Sequence, residues 1–189
     1  MEVLDSKAMA GQPFKKNASY QDLAAIPDGW NGQIIDGDLW AFPRPAPLHA
    51  LAITRLSQQL GPVEDDKAAG WIILFEVEVW FGKHLLIPDL AGWRRPRAPD
   101  LSVQTLELTP DWVCEGLSPA TARLDRGRKR EIYAEHGVGH VWFADPTHHT
   151  VEVLALRGSH YQVVQSAGSE RARLAPFDIE LDPTSLWTL

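Results

Sequence analysis

The chain has 189 residues, 44% of them hydrophobic, with eight tryptophans and a formal net charge of −7. This composition suits one folded domain with a sizeable core and excludes a disordered chain. No run approaches the ~18 apolar residues of a membrane span, the first residues lack the basic-then-apolar order of a secretory signal, and the single cysteine, Cys114, excludes an internal disulfide framework or a multi-cysteine zinc site, so a cytoplasmic location is the default expectation.

Residues 1–18 show no periodicity and are read as an N-terminal arm, either a mobile tail or a segment packed on a partner. Residues 19–189 form the expected single domain. Residues 19–26 suit a short helix, with Ser19 as N-cap and Asp22 in the capping-box position. Residues 33–42 read as a hairpin, because Asp36-Gly37 is a two-residue turn signal. Pro43, Pro45 and Pro47 make a stiff link into a helix over 48–60. There Leu48, Ala52, Leu56 and Leu60 recur every four residues, and Gly61-Pro62 is expected to close it.

Residues 71–81 predict one strand or a pair, and 85–90 another, with Pro88 at a strand end or bulge. Trp112 to Leu117 predicts a buried strand, with Val113, Glu115 and Leu117 on one face and Trp112, Cys114 and Gly116 on the other. Ser118-Pro119 breaks it. A helix over about 121–136 stops at Gly137, and strands follow over 138–144, 150–156 and 161–165. Residues 173–181 read as a last strand or meander. The order fits an α/β sheet with helices packed on it.

Two acidic residues stand out. Asp89 follows a proline at a strand end, where a carboxylate can turn into a cleft. Glu115 sits among Trp112, Val113, Cys114 and Leu117, and a buried carboxylate is costly unless partnered. Oxygen ligands of this kind suit Mg²⁺ or Mn²⁺, which polarises a phosphoryl oxygen and activates a bound water. Glu76, in the strand before Pro88-Asp89, is a third candidate ligand. Asp125, Lys129 and Tyr133 fall at i, i+4 and i+8 on one helical stripe. The plain alternative for Lys129 is an exposed ion pair with Asp125. Basic residues cluster at Arg94, Arg95 and Arg97, and at Arg123, Arg126, Arg128, Lys129 and Arg130. In a net-acidic chain such clusters would have to carry any phosphate binding. The pairs His136/His140 and His148/His149 lack a third ligand nearby and do not suggest zinc.

Pro88-Asp89, then Cys-Glu-x-Leu-Ser-Pro-x-Thr over 114–121, Asp-x-x-x-Lys-x-x-x-Tyr over 125–133, Gly137-Val138, and Trp-x-x-Asp-Pro over 142–146 resemble the Uma2 family. This is the DUF820-type group of restriction-endonuclease-like proteins within the PD-(D/E)xK nuclease superfamily. The resemblance runs from about Tyr20 to the C-terminus. It implies a restriction endonuclease-like mixed β-sheet with flanking helices and a PD-(D/E)xK core. It also implies a metal-dependent DNA endonuclease with Asp89, Glu115 and Lys129 as catalytic residues, and Asp89, Glu115 and Glu76 at the metal.

The superfamily's lysine commonly lies two residues after the glutamate, where this chain has Leu117; the family resemblance places it on the next helix, at Lys129. His49 matches the family's helix histidine, a contact for the metal-bound water or a phosphate. Gln33 stands where relatives commonly have glutamate. Arg126, Arg128 and Arg130 are the expected substrate contacts alongside His49 and Gln33. Cutting both strands of a duplex calls for a homodimer. Gln33, Leu117 and the net acidity favour an alternative, a nuclease scaffold that binds nucleic acid or protein without cutting. A small-molecule hydrolase using the same acids is a third reading.

Overall fold

In the computed structural model, residues 12–66 and 70–188 are described. The expectation for residues 1–11 lies outside them. Residues 12–18 run along the chain's own first hairpin. Phe14 N–H donates to the Leu39 carbonyl at 2.7 Å, and Leu39 N–H donates back to Lys15 at 2.8 Å. The turn Tyr20–Ala25 is a 3₁₀ helix, opened by Ser19 N–H donating to Asp22 Oδ2 at 2.8 Å.

Strands β1 (Trp30–Ile35) and β2 (Asp38–Pro43) pair through the Asp36-Gly37 turn, where both residues have positive φ, 54° and 82°. Glycine takes such a backbone without strain and aspartate tolerates it, which is the reason this dipeptide sets the hairpin register. Helix α1 (Pro47–Asp65) follows. It continues past Gly61-Pro62, contrary to expectation. A proline costs a helix one N–H bond, and here the last turn persists beyond it.

Strands β3 (Trp71–Phe75), β4 (Val79–Phe81), β5 (His84–Leu86) and β6 (Leu90–Arg94) come next. The apolar run 71–81 is two strands that belong to different sheets. Glu76, with φ 47°, makes the break. Likewise the run 85–90 is split around Pro88. Then come β7 (Trp112–Gly116), the second helix α2, β8 (His140–Asp145), β9 (Thr150–Arg157), β10 (His160–Ala167) and the short pair β11 (Ala172–Arg173) and β12 (Glu180–Leu181). Helix α2 is built from Ala122–Leu124, a π-helical turn Asp125–Lys129, and Arg130–Glu135. An unbroken helix was expected. Gly127 departs from helical geometry at φ −102°, ψ −105°, and π-turns of this kind gather at functional sites.

A six-stranded mixed sheet runs β10-β9-β8-β7-β6-β3, with β7 and β8 parallel and the other neighbours antiparallel. A four-stranded antiparallel sheet runs β2-β1-β5-β4. The large sheet is covered on both faces, so β7 is buried throughout and its two-residue alternation is divided between two cores. Trp112 and Cys114 face α1 through Ala52, Ile53, Leu56 and Leu60. Trp71, Trp112, Trp142 and Phe177 meet there edge to face, with ring centroids 4.8–5.4 Å apart. Val113 and Leu117 face the small sheet and α2, through Phe81, Leu86, Ile132 and Tyr133. The mixed α/β architecture and the alternation of β7 match the sequence reading. No helix among the described residues is long and apolar enough to cross a membrane.

Candidate active site

The register Leu90↔Cys114 of β6 and β7 brings Asp89 beside the Glu115-Gly116 end of β7. Asp89 is held at both oxygens. Oδ2 accepts the Gly116 N–H at 2.7 Å, and Oδ1 lies 2.9 Å from His49 Nε2. His49 is the third residue of α1, and its ring packs against Gly116. A Cβ at position 116 would stand 2.6 Å from His49 Cε1 and 2.9 Å from Nε2. Glycine is required here so that helix and strand can approach closely. The His49 Nδ1 is buried and has no hydrogen-bond partner. Burial works against the His49 cation, but the Asp89 hydrogen bond and the nearby Glu115 and Asp125 charges raise its pKa above the ordinary 6.5.

Glu115 faces α2. The Lys129 ammonium is 2.6 Å from Glu115 Oε1 and 3.2 Å from Asp125 Oδ1, and the Tyr133 hydroxyl donates to the same Glu115 oxygen. Glu115, Asp125 and Lys129 are only 3%, 2% and 2% exposed. This removes the alternative of an exposed surface pair for Lys129. Burial pushes the pKa of both carboxyls up, with Lys129 pulling the other way. Burial opposes the Lys129 charge in turn, yet Glu115 and Asp125 raise its pKa overall. One ammonium therefore serves two buried carboxylates, and the trio retains a surplus of acid.

These groups form the floor of a cleft of about 290 Å³. One lip is Phe42-Pro43-Arg44-Pro45-Ala46, and the other is Ser118-Pro119-Ala120-Thr121. Glu76 lines the mouth in its left-handed conformation, a strained backbone for a non-glycine residue. Its pKa is raised by burial and by Asp89. Gln33 lines the wall, and its Oε1 accepts the Ile87 N–H at 3.1 Å, steadying the chain just before Pro88-Asp89.

The structure thus brings together Asp89, Glu115, Lys129, His49, Gln33 and Glu76. It does not bring the arginines. Arg126 pairs with Glu152 and lies over the Phe143 ring at 5.0 Å. Arg128 grips Asp36 with two bonds of 2.8 and 2.7 Å and reaches Glu135 at 2.9 Å. Arg130 is exposed and does not line the cleft. Arg126 and Arg128 are thus neutralised by Glu152, Asp36 and Glu135 before any ligand arrives. Asp125 and Tyr133 share the expected stripe with Lys129, but their burial beside Glu115 was not read from the sequence. Arg44 was missed; its signal was a charged residue held between two prolines. Among the described residues no group of three or more His, Cys, Asp or Glu side chains is arranged to hold a metal by itself.

The family model Uma2, described as "Putative restriction endonuclease", matches residues 18–184. The chain belongs to the Uma2 family. A solved structure from Anabaena variabilis ATCC 29413, described as a "putative nuclease belonging to DUF820", has a similar fold with a TM-score of 0.71. It is 19% identical, and the match covers 86% of this chain and 92% of that one. No curated protein matches the chain. The Uma2 assignment and the nuclease-like fold agree with the motif reading, and the Uma2 segment contains every residue of the cleft.

Proposed function

We propose that this Uma2 protein is an endonuclease that hydrolyses DNA phosphodiester bonds with Mg²⁺ or Mn²⁺ held by carboxylates. One observation carries the reading. Of the six buried polar or charged residues among those described, Gln33, His49, Glu115, Asp125 and Lys129 all line one cleft, and only His84 stands elsewhere. Buried ionisable groups are costly in a core, so their concentration in a single cleft points to function.

The donor set suits a hard divalent cation. Asp89, Glu115, Asp125 and Glu76 outnumber the cleft's Lys129 and Arg44, and all their ligating atoms are oxygen. Asp89 and Glu115 would hold the ion, with Glu76 at the mouth, and water would fill most remaining positions. When bound, such an ion supplies an activated water and neutralises charge developing on the phosphoryl oxygens. The chain's own groups do the rest. His49 and the Gly116 N–H fix the Asp89 carboxylate. Tyr133 and Lys129 orient Glu115, and the Lys129 ammonium offers positive charge to the pentavalent phosphoryl group from a site where water does not screen it. A homodimer would present two such clefts to the two strands of a duplex, and the default cytoplasmic location would place it with DNA.

Gln33 supports a second reading, a binding module with weakened catalysis. Where relatives commonly have a carboxylate, this amide instead accepts the Ile87 N–H. Purified protein incubated with supercoiled plasmid and Mg²⁺ or Mn²⁺ separates the two. Nicked or linear product that disappears with Glu115→Gln supports the endonuclease. An intact plasmid bound by the protein supports the module.

A further inference from the structure

We propose that Arg44 is the phosphate-gripping residue of the cleft, placed to hold a backbone phosphate of the nucleic acid beside the one being cut. This rests on the nuclease reading above and names a positioning residue for it. Charge inside the cleft is the starting point. Four carboxylates, from Glu76, Asp89, Glu115 and Asp125, face the space that a polyanion must enter. Lys129, held between Glu115 and Asp125 on the cleft floor, is committed to the phosphate being cut, and His49 is held by Asp89, so neither serves a neighbouring phosphate. Arg126 and Arg128 are paired with Glu152 and Asp36 outside the cleft. Arg44 remains. It is exposed at the cleft mouth, its charge is felt by Glu76, and no carboxylate among the described residues lies within ion-pair range of it.

The backbone around Arg44 is stiff. Pro43 and Pro45 flank it, each with φ fixed by its ring. The Arg44 N–H donates to the Gly29 carbonyl at 3.3 Å, anchoring the lip to the turn before β1. An arginine on such a lip is presented at low entropic cost, and its planar guanidinium suits two phosphate oxygens at once. Next in the chain, Ala46 caps α1 without a side chain that could bond the first N–H groups, so the positive end of the helix opens on the same lip. These features all favour an anion entering beside Arg44.

The test is fluorescence anisotropy with a labelled DNA duplex in Ca²⁺, across a range of NaCl concentrations, for the unsubstituted protein and for Arg44→Ala, Arg44→Lys and Arg130→Ala. Losing one phosphate contact should lower the slope of log affinity against log salt by about 1. We expect that loss for Arg44→Ala, full slope with reduced affinity for Arg44→Lys, and no change for the exposed Arg130→Ala. Melting temperatures should be equal throughout, since both side chains are in solvent. An unchanged slope for Arg44→Ala, or an equal loss for Arg130→Ala, overturns the role of Arg44 and leaves the nuclease reading standing. Failure of the unsubstituted protein to bind the duplex overturns both.

Discussion

Replacing Lys129 by methionine should be among the most damaging single changes in this domain. The substitution keeps the apolar stem and removes an ammonium 2.6 Å from Glu115 and 3.2 Å from Asp125. All three side chains are at least 96% buried, so water cannot replace the lost charge. Breaking a buried ion pair by deleting one partner costs about 3–5 kcal/mol, because the other charge stays uncompensated. Here two carboxylates are stranded. Against a total stability of about 5–15 kcal/mol, a domain of this size should lose roughly 6–20 °C in melting temperature. The sign of the pH dependence follows. Both carboxyls already have raised folded pKa values, and without Lys129 these rise further. Their protonated forms are the ones the fold tolerates, so the deficit should shrink as pH falls from 8 towards 5. Urea denaturation at the two pH values measures it. The triple variant Lys129→Met, Glu115→Gln, Asp125→Asn should recover most of the lost stability, since no buried charge remains. If Lys129→Met is as stable as the parent at pH 8, the trio is not a buried charge network. Below its melting temperature, the variant should also lose cleavage while binding DNA with nearly unchanged affinity.

Gly116→Ala should cost about 1–3 kcal/mol from overpacking against His49; in a double-mutant cycle the cost should largely vanish when His49→Ala is also present, and additive losses would contradict the close approach. The raised pKa of His49 means that its ion pair with Asp89 contributes stability fully below about pH 6.5, lost as pH rises through the higher folded value. Urea midpoints from pH 6 to 9 should therefore fall in the parent and stay flatter in His49→Gln. Light scattering at micromolar concentration should give twice the chain mass, and a monomer mass would reject the dimer.

How much of this was legible in the sequence depends on whether the signal was local. Asp36-Gly37 needs positive φ at two adjacent positions, and that requirement is written in the dipeptide itself. The alternation of 112–117 carried its own two faces, so Glu115 could be assigned towards Leu117 and away from Cys114. Helix ends were less legible. Pro62 is a breaker by local rule, yet α1 runs on to Asp65. Gly127 was read as part of an unbroken helix, yet the chain forms a π-turn there. The basic run from Arg123 to Arg130 misled because its neutralising partners, Asp36 and Glu152, come from distant hairpins. Residues as far apart as Gln33, His49, Asp89, Glu115 and Lys129 shared a site in the motif reading, but their meeting in one cleft is a tertiary fact. Arg44 had no periodicity or motif to mark it, only its two prolines.

Calorimetric titration of Mn²⁺ into the parent, Asp89→Asn and Glu115→Gln proteins tests the proposed metal binding most directly. The cleft as described should give saturable binding in the parent and at least a tenfold weaker affinity when either carboxylate is neutralised, about 1.4 kcal/mol or more. Equal Mn²⁺ affinity in all three proteins would contradict the assignment of Asp89 and Glu115 as the ligands.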